Sequence, residues 1–288
     1  MADRRYRNIH FNIYGQDHSP WVQAVLLGLH ERDISYTLTT VPPFSVLRKW
    51  GVMMPTASDG DTPWQLESTD ILQQMGYGAV SKENLRAIYD AWRGVTHRAK
   101  SARRFFYTAS LIRDPHLSCL RRMRNQFLRS FAVLYFYLLL KFVIRVGIQP
   151  DPKNFSEQFL YWEQMLEDGD VLYLGGGEPN ILDMMLFGVI QCHSSIPVPP
   201  IDALQNDPRL VRMRSWIASM QKRFSDYDHL YSGVHFEPYS PSPAQATLLE
   251  QAAYWFGLAV MFVFFPITIP LIVFLAMRVP RDNLVIPS

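Results

Sequence analysis

The sequence predicts an α/β domain near the amino terminus and a membrane segment near the carboxyl terminus. Residues 9–14 alternate apolar and polar side chains, as a half-buried strand does. Pro20 then opens a stretch with apolar residues at helical spacing, a position where proline is well tolerated. Far downstream, the 26 residues from Ala252 to Met277 carry no charge. At about 1.5 Å rise per residue, such a helix would cross a hydrocarbon core of about 30 Å.

The composition is that of a folded protein. Of 288 residues, 48% are hydrophobic and 19% charged, so the chain is not collagen-like, low-complexity or wholly disordered. A mean hydropathy of −0.04 disfavours many membrane spans. Cys119 and Cys192 lack the spacing of a zinc site, which predicts a reducing compartment and no bound metal. We expect no cleavable signal peptide, because Asn8, His10 and Asn12 interrupt the stretch that follows the basic amino terminus.

The first domain has a definite order of elements, each bounded by turn-forming residues. That order is β-α-β-α-β-β-α. The predicted elements are a strand at 9–14, a helix from Pro20, a strand at 33–41, a helix ending at Trp50, strands at 52–57 and up to Leu66, and a helix beginning at Glu67-Ser68.

Four motifs within this order make the chain resemble the glutathione S-transferase family, which has a thioredoxin-like first domain and an all-helical second domain. The resemblance covers roughly residues 8–235. The motifs are Ser19-Pro20-Trp21 at the first helix, Met54-Pro55 at the position of the family's cis-proline, Glu67-Ser68 at the third helix, and the capping box Asn180-Ile-Leu-Asp183 in the second domain.

The resemblance also implies the domain organisation. Residues 8–77 would form a thioredoxin-like glutathione-binding domain, and residues 82–235 an all-helical domain. Residues 236–251 would link these domains to a membrane segment at 252–277.

Ser19 is the catalytic residue that the resemblance implies. A hydroxyl at a helix start can hydrogen-bond a thiolate and lower the pKa of the thiol. The alternative is a helix-cap hydroxyl without chemistry. One departure from the family pattern weakens the catalytic interpretation, because Gln23 replaces an arginine that is common soon after the catalytic residue.

Glutathione is the co-substrate that the resemblance implies. Met54, before a cis Pro55, would pair its main chain with the cysteinyl part. Glu67 and Ser68 would hold the γ-glutamyl group. Lys49, with Arg48 as the alternative, would reach the glycyl carboxylate.

Charge is concentrated in residues 98–145. This block holds eleven basic residues and one acid, leaving 17 basic and 25 acidic residues elsewhere, so a +10 block lies within a −8 remainder. The block includes an apolar, aromatic stretch at 131–144, which predicts an interfacial helix on anionic lipid. Ordinary domain core is the alternative. Nucleic-acid binding is not expected, because no nucleic-acid module accompanies the charge.

The uncharged segment at 252–277 has two interpretations. Pro266 and Pro270 would kink a single spanning helix or form the turn of a re-entrant hairpin. Few residues follow the segment, so we expect it to lie in lipid and not in a core. Arg278 and Arg281 follow it, which favours a tail and soluble domains that face the cytoplasm.

Two functions follow from the sequence. The first is a membrane-anchored transferase that conjugates the glutathione thiolate to a lipophilic electrophile. The second is a non-catalytic adaptor, as in the tail-anchored metaxin-like and ganglioside-induced differentiation-associated proteins, or a subunit of a membrane assembly. A homodimer and a membrane-protein partner both remain open.

Overall fold

The amino-terminal part of the chain is built around a small sheet. A computed structural model of the chain describes residues 9–97, 101–113, 117–138, 141, 151–195, 198–231 and 245–277. The β-α-β-α-β-β-α order predicted from the sequence is confirmed. Its elements are β1 (His10–Tyr14), α1 (Pro20–Glu31), β2 (Ser35–Thr39), α2 (Phe44–Trp50), β3 (Thr56–Ser58), β4 (Gln65–Leu66) and α3 (Ser68–Gln74).

The sheet has the strand order β2-β1-β3-β4, which is a thioredoxin-type arrangement. β1 is parallel to β2 and antiparallel to β3, and β3 is antiparallel to β4. The carboxyl ends of β1 and β4 therefore lie at the same sheet edge as the amino end of β3.

The remainder is mostly helical and packs on the first domain through one buried helix. All residues of that helix, α8 (Ile181–Ser195), are buried. A Cβ at Gly188 on α8 would lie 2.4 Å from the Pro20 carbonyl oxygen, so α8 approaches the start of α1 at backbone distance. The helices are α4 (Lys82–Ala91), α5 (Ala102–Ser110), α6 (Cys119–Leu138), α7 (Leu160–Gly169), α8 (Ile181–Ser195), α9 (Pro199–Asn206), α10 (Val211–Arg223), α11 (Leu248–Val263) and α12 (Phe265–Met277).

The predicted capping box at the start of α8 is confirmed. Asn180 Oδ1 accepts a hydrogen bond from the Leu182 N–H at 2.7 Å, and Asp183 Oδ2 accepts one from the Asn180 N–H at 2.9 Å. Asp183 also accepts a hydrogen bond from Trp216 Nε1 at 2.8 Å, which joins the start of α8 to α10.

The uncharged carboxy-terminal segment is broken into two helices. α11 and α12 meet at an angle of 85°. Among the described residues, no single helix is both long and apolar enough to cross a bilayer. Two bent pairs meet these criteria together, α11 with the first part of α12, and α8 with α9, which are bent by 114°.

α11 packs partly into a core, which corrects the expectation that the whole segment lies in lipid. Tyr254, Leu258 and Met261 are buried in a second hydrophobic cluster with residues of α5 and α6. The reason is that α6 offers an aromatic face over its second half, against which α11 runs. The preceding residues also pair, since the Ala246 N–H donates to the Leu111 carbonyl at 2.8 Å.

The basic block at 98–145 divides into buried and exposed cations. Arg129 is only 1% exposed and donates to the Ile112 carbonyl at 2.8 Å. Arg122 and Arg113 both pair with the buried Glu250 of α11. Other arginines of the block remain exposed: Arg103, Arg104, Arg121 and Arg124.

Candidate functional site

Three chain segments meet at one edge of the sheet. Tyr14 at the end of β1 is paired with Thr56 at the start of β3, and Thr56 is paired with Leu66 at the end of β4. The residues that follow β1, precede β3 and follow β4 therefore lie at this edge. These segments carry Ser19, Met54-Pro55 and Glu67-Ser68, five of the six site residues proposed from the sequence.

Ser19 is the N-cap residue of α1 by position, but its hydroxyl does not cap the helix. Its main-chain carbonyl accepts a hydrogen bond from the Gln23 N–H at 2.9 Å, while the side chain makes no capping bond. The cap-hydroxyl interpretation is therefore wrong. A helix start carries partial positive charge, so this hydroxyl and the helix would both favour an anion placed beside them.

Met54 and Pro55 are joined by a cis peptide bond. The Met54 sulfur accepts a hydrogen bond from the Gln16 N–H at 3.3 Å, which ties this segment to the loop before α1. Among the described residues, nothing hydrogen-bonds the main-chain N–H or C=O of Met54. An extended ligand can pair with such an open main chain as an added strand does.

Glu67 has a left-handed backbone, with φ of 81°. For a residue other than glycine this conformation costs on the order of 1–3 kcal/mol, and such outliers cluster at functional sites. Burial, and secondarily the charge of Asp70, raises the pKa of the Glu67 carboxyl. The next residue, Ser68, is buried, and its hydroxyl donates to the Met185 sulfur of α8 at 3.6 Å.

Lys49 precedes the Met54-Pro55 segment along the chain. It is exposed on α2, and its ammonium lies over the ring of Trp50, 4.2 Å from the ring centroid. The hydrogen bonds that join the loop before α1, Met54 and Ser68 to their neighbours do not involve it. Arg48, the alternative, is exposed on the same helix.

A buried carboxylate that the sequence did not reveal lies two residues before Ser19. Asp17 is 4% exposed, and its Oδ2 accepts a hydrogen bond from the Tyr231 hydroxyl at 2.8 Å. Nδ1 of His18 and Nδ1 of His229 lie 3.2 and 3.4 Å from its oxygens. Tyr231 and His229 belong to the segment that follows α10, so the carboxylate joins both parts of the chain.

The Asp17 carboxyl is held in its ionised form. Burial acts to raise its pKa, but the close contacts of the carboxylate with His18 and His229, together with the positive charge of Arg129, outweigh burial. The pKa of Asp17 therefore lies well below its usual value. A group with such a depressed pKa is an anchor for the loop and not a general acid at neutral pH.

Gln23 extends this junction from one turn inside α1. Its amide nitrogen donates to the main-chain carbonyls of Asp17 and, at 3.1 Å, of His229. Its amide oxygen accepts a hydrogen bond from the Tyr227 hydroxyl at 3.0 Å. The glutamine that replaces the expected arginine therefore links the loop before α1 to the end of the helical domain.

Aromatic side chains form a wall beside the start of α1. The ring centroids of Trp21 and Tyr89 are 4.9 Å apart, and those of Trp21 and Trp92 are 5.9 Å apart. Trp21 follows Ser19-Pro20, so this wall borders the Ser19 loop. Phe105 and Phe106 pack elsewhere, against Tyr137 of α6.

Sequence signals account for only part of this site. The Asp17 contacts join positions more than 200 residues apart, and nothing local to His229 or Tyr231 marks them as partners of the loop. Within the described ranges, no group of three or more His, Cys, Asp or Glu residues could hold a metal ion.

Comparisons with solved structures return glutathione S-transferases. No protein-family model and no curated protein matches the sequence. A theta-class enzyme from Xanthomonas axonopodis pv. citri with glutathione bound is 18% identical, with 74% of this chain and 96% of that chain covered and a TM-score of 0.38. A pi-class enzyme from Onchocerca volvulus is 14% identical, with coverage of 74% and 88% and a TM-score of 0.42.

Human glutathione transferase theta-2, in complex with glutathione and an unknown ligand, is 16% identical, with 94% of this chain and 100% of that chain covered and a TM-score of 0.40. The chain is similar to glutathione S-transferases in having a thioredoxin-type sheet followed by a mostly helical region.

Proposed function

We propose that this protein binds glutathione at the sheet edge and transfers its thiolate to an apolar electrophile while attached to a membrane. One observation carries the proposal. Ser19, Met54-Pro55 and Glu67-Ser68 lie at one edge of the sheet, and the Ser19 hydroxyl is not used to cap α1.

The polar groups at this edge fit a glutathione molecule. Among the residues that the structure describes, the Ser68 hydroxyl pairs only with a thioether. This weak acceptor would be replaced by the γ-glutamyl carboxylate in a charge-assisted bond about twice as strong. The half-buried Glu67 carboxylate would take the ammonium of the same group. The open main chain of Met54 would pair with the cysteinyl part.

The chain would favour a thiolate through two groups. Bound glutathione supplies a thiol nucleophile. The Ser19 hydroxyl would donate a hydrogen bond to the sulfur, and the amino end of α1 would add positive potential, so both would lower the pKa of the thiol. The wall of Trp21, Tyr89 and Trp92 offers an apolar surface that excludes water and receives an apolar electrophile.

Membrane attachment is supported by the apolar surface of α11 and α12. Large apolar residues there are more than half exposed, including Phe256, Phe262 and Ile267. Such a patch marks a membrane or protein interaction site. We place the folded domains on the cytoplasmic side, because Arg278 and Arg281 follow the apolar segment.

A second function, a non-catalytic adaptor, is favoured by the burial of the loop before α1. Gln16, Asp17, His18 and Ser19 are only 5%, 4%, 4% and 8% exposed. An adaptor needs no open cleft and would keep this loop closed under the end of the helical domain.

Calorimetric titration of glutathione into the full chain in detergent micelles separates the two functions. We expect saturable binding, weakened roughly 10-fold or more in Ser68→Ala, since hydrogen bonds to charged groups contribute about 1.5–3 kcal/mol. Ser81→Ala is the matched control, because Ser81 caps α4 and lies outside the site. Absence of binding at millimolar glutathione would contradict the transferase and favour the adaptor.

A further inference from the structure

α11 turns its charged side chain inward and apolar side chains outward, the reverse of a helix that faces water. Its charged residue Glu250 points inward and is 1% exposed, and Tyr254 is fully buried. A surface helix of a soluble domain turns its polar face outward. The exposed residues of α11 are instead all apolar: Leu248, Leu249, Ala252, Trp255, Phe256, Ala259, Phe262 and Val263.

The inner face of α11 is fixed to α6. Glu250 pairs with Arg122 near the start of both helices. Further along, a Cβ at Gly257 would lie 2.3 Å from Ser130 Oγ and 2.7 Å from the Phe127 carbonyl oxygen. The two helices therefore run parallel at backbone distance, and the apolar outer face is carried on the folded part of the protein.

α12 continues this surface without polar interruption. It is apolar over its whole circumference, and its one hydroxyl, on Thr268, donates to the Phe264 carbonyl at 3.1 Å. Its 13 residues rise about 20 Å, short of a hydrocarbon core of about 30 Å. The 85° bend prevents α11 and α12 from adding their lengths.

Three exposed cations border the second hydrophobic cluster, against which Phe265 at the start of α12 packs. Arg103 and Arg104 are exposed at the start of α5, directly before Phe105 and Phe106. These two phenylalanines pack on Tyr137, with ring centroids 5.5 and 5.0 Å apart, and Phe265 packs against the same cluster. Lys141 is also exposed there, with its Nζ 5.6 Å from the centroid of the Tyr137 ring.

We propose that this end of the molecule docks on a bilayer containing anionic phospholipid, with α12 embedded in a single leaflet. We call α12 with Arg103, Arg104 and Lys141 the docking end. Apolar helix surface next to exposed cations is the combination that anionic membrane surfaces bind. This inference rests on the proposed membrane attachment. It adds the class of lipid that is bound and the depth of α12 in the bilayer.

Flotation of the full chain with protein-free vesicles tests the lipid partner. Phosphatidylcholine vesicles are compared with vesicles that also contain phosphatidylserine, for wild type and for the double variant Arg103→Ala/Arg104→Ala. The matched control is Arg121→Ala/Arg124→Ala, an equal loss of exposed charge at the other end of α6. We expect the first variant to lose roughly 30-fold in partitioning to anionic vesicles, from about 1 kcal/mol per arginine near the surface, and the control to lose little.

Equal flotation with both vesicle types, or equal losses in both variants, would overturn the lipid inference while membrane attachment stands. Failure to float with either vesicle would contradict attachment itself and favour a membrane-protein partner. Glutathione binding, measured separately in micelles, bears on neither result.

Labelling of an introduced cysteine in sealed vesicles tests the depth, with the buried Cys192 left in place in every variant. In a Cys119→Ser background, Ser288→Cys is compared with Glu83→Cys on α4, which lies in the folded part. We expect both to react equally with an impermeant maleimide added outside. Reaction of Ser288→Cys only after detergent is added would show a spanning segment and contradict the single-leaflet arrangement.

Discussion

The Tyr231 hydroxyl donates a hydrogen bond of 2.8 Å to Oδ2 of Asp17, across 214 positions of sequence. The acceptor lies two residues before Ser19. The end of the helical region is thereby held against the loop that carries the proposed thiol-binding hydroxyl, so packing in one part of the chain fixes the site in the other.

Tyr231→Phe should lower the free energy of unfolding by about 2 kcal/mol, because it removes a hydrogen bond to a buried, charged acceptor. Tyr161→Phe removes an exposed bond to Asn84 and should cost less than about 0.5 kcal/mol. Denaturant unfolding of both variants measures the difference. Equal effects would contradict a special role for the Asp17 contact.

Asp17 should make stability depend on pH in the acid range. Its pKa in the folded state lies below the unfolded value of about 3.9, so its contribution is present above that value and is lost as the pH falls through the folded pKa. Unfolding free energies of wild type should therefore fall as the pH drops below that unfolded value. Asp17→Asn should flatten this slope; an unchanged slope would show that Asp17 is not the responsible group.

Glu67 should make the affinity for glutathione depend on pH in the acid range. Burial raises the pKa of Glu67, and only the ionised carboxylate attracts an ammonium group. Affinity should therefore fall as the pH drops through a midpoint above about 4.3, the ordinary value for glutamate. Glu67→Gln should bind glutathione more weakly at neutral pH, and its affinity should no longer fall with acid, as calorimetry across pH can measure. If the affinity of Glu67→Gln still falls with acid, another group is responsible for the pH dependence.

Gly257 should tolerate no side chain. In Gly257→Val the new carbons would meet Ser130 and the Phe127 carbonyl, and overpacking of this kind costs about 1–3 kcal/mol. Gly177→Ala is the control, since a Cβ there meets nothing within 4 Å. Thermal unfolding should show a clear loss for the first variant only. A neutral Gly257→Val would mean that α11 is not held at backbone distance from α6.

Local patterns predicted the elements but not their long-range junctions. Some features depend only on neighbours within a few residues, and the sequence predicted them correctly. They are the strand at 9–14, the proline at the first turn of α1 and the cap formed by Asn180 and Asp183. The pairing of Arg122 with Glu250 spans 128 positions, so nothing local indicated that α11 would turn its one charge inward. For the same reason, the sequence did not indicate Tyr231 as the partner of Asp17.

The uncharged segment shows why hydropathy alone left its structure open. A run of 26 apolar and uncharged residues is compatible with a span, a hairpin or a core helix. Two features determine which of these structures forms. The aromatic half of α6 buries Tyr254 and Leu258, and the segment bends after Val263. Both depend on tertiary packing, which the composition of the segment does not determine.

The pKa of the glutathione thiol when bound tests the central claim most directly. It is measured as thiolate absorbance in a pH titration of the complex, with the spectrum of the protein alone subtracted to remove its own cysteines. A free thiol titrates near pH 8.5, as a rough reference. We expect a clearly lower value in wild type that returns toward the free value in Ser19→Ala, while affinity for glutathione is retained. An unshifted thiol in wild type, or the same depressed value in Ser19→Ala, would contradict the role given to Ser19.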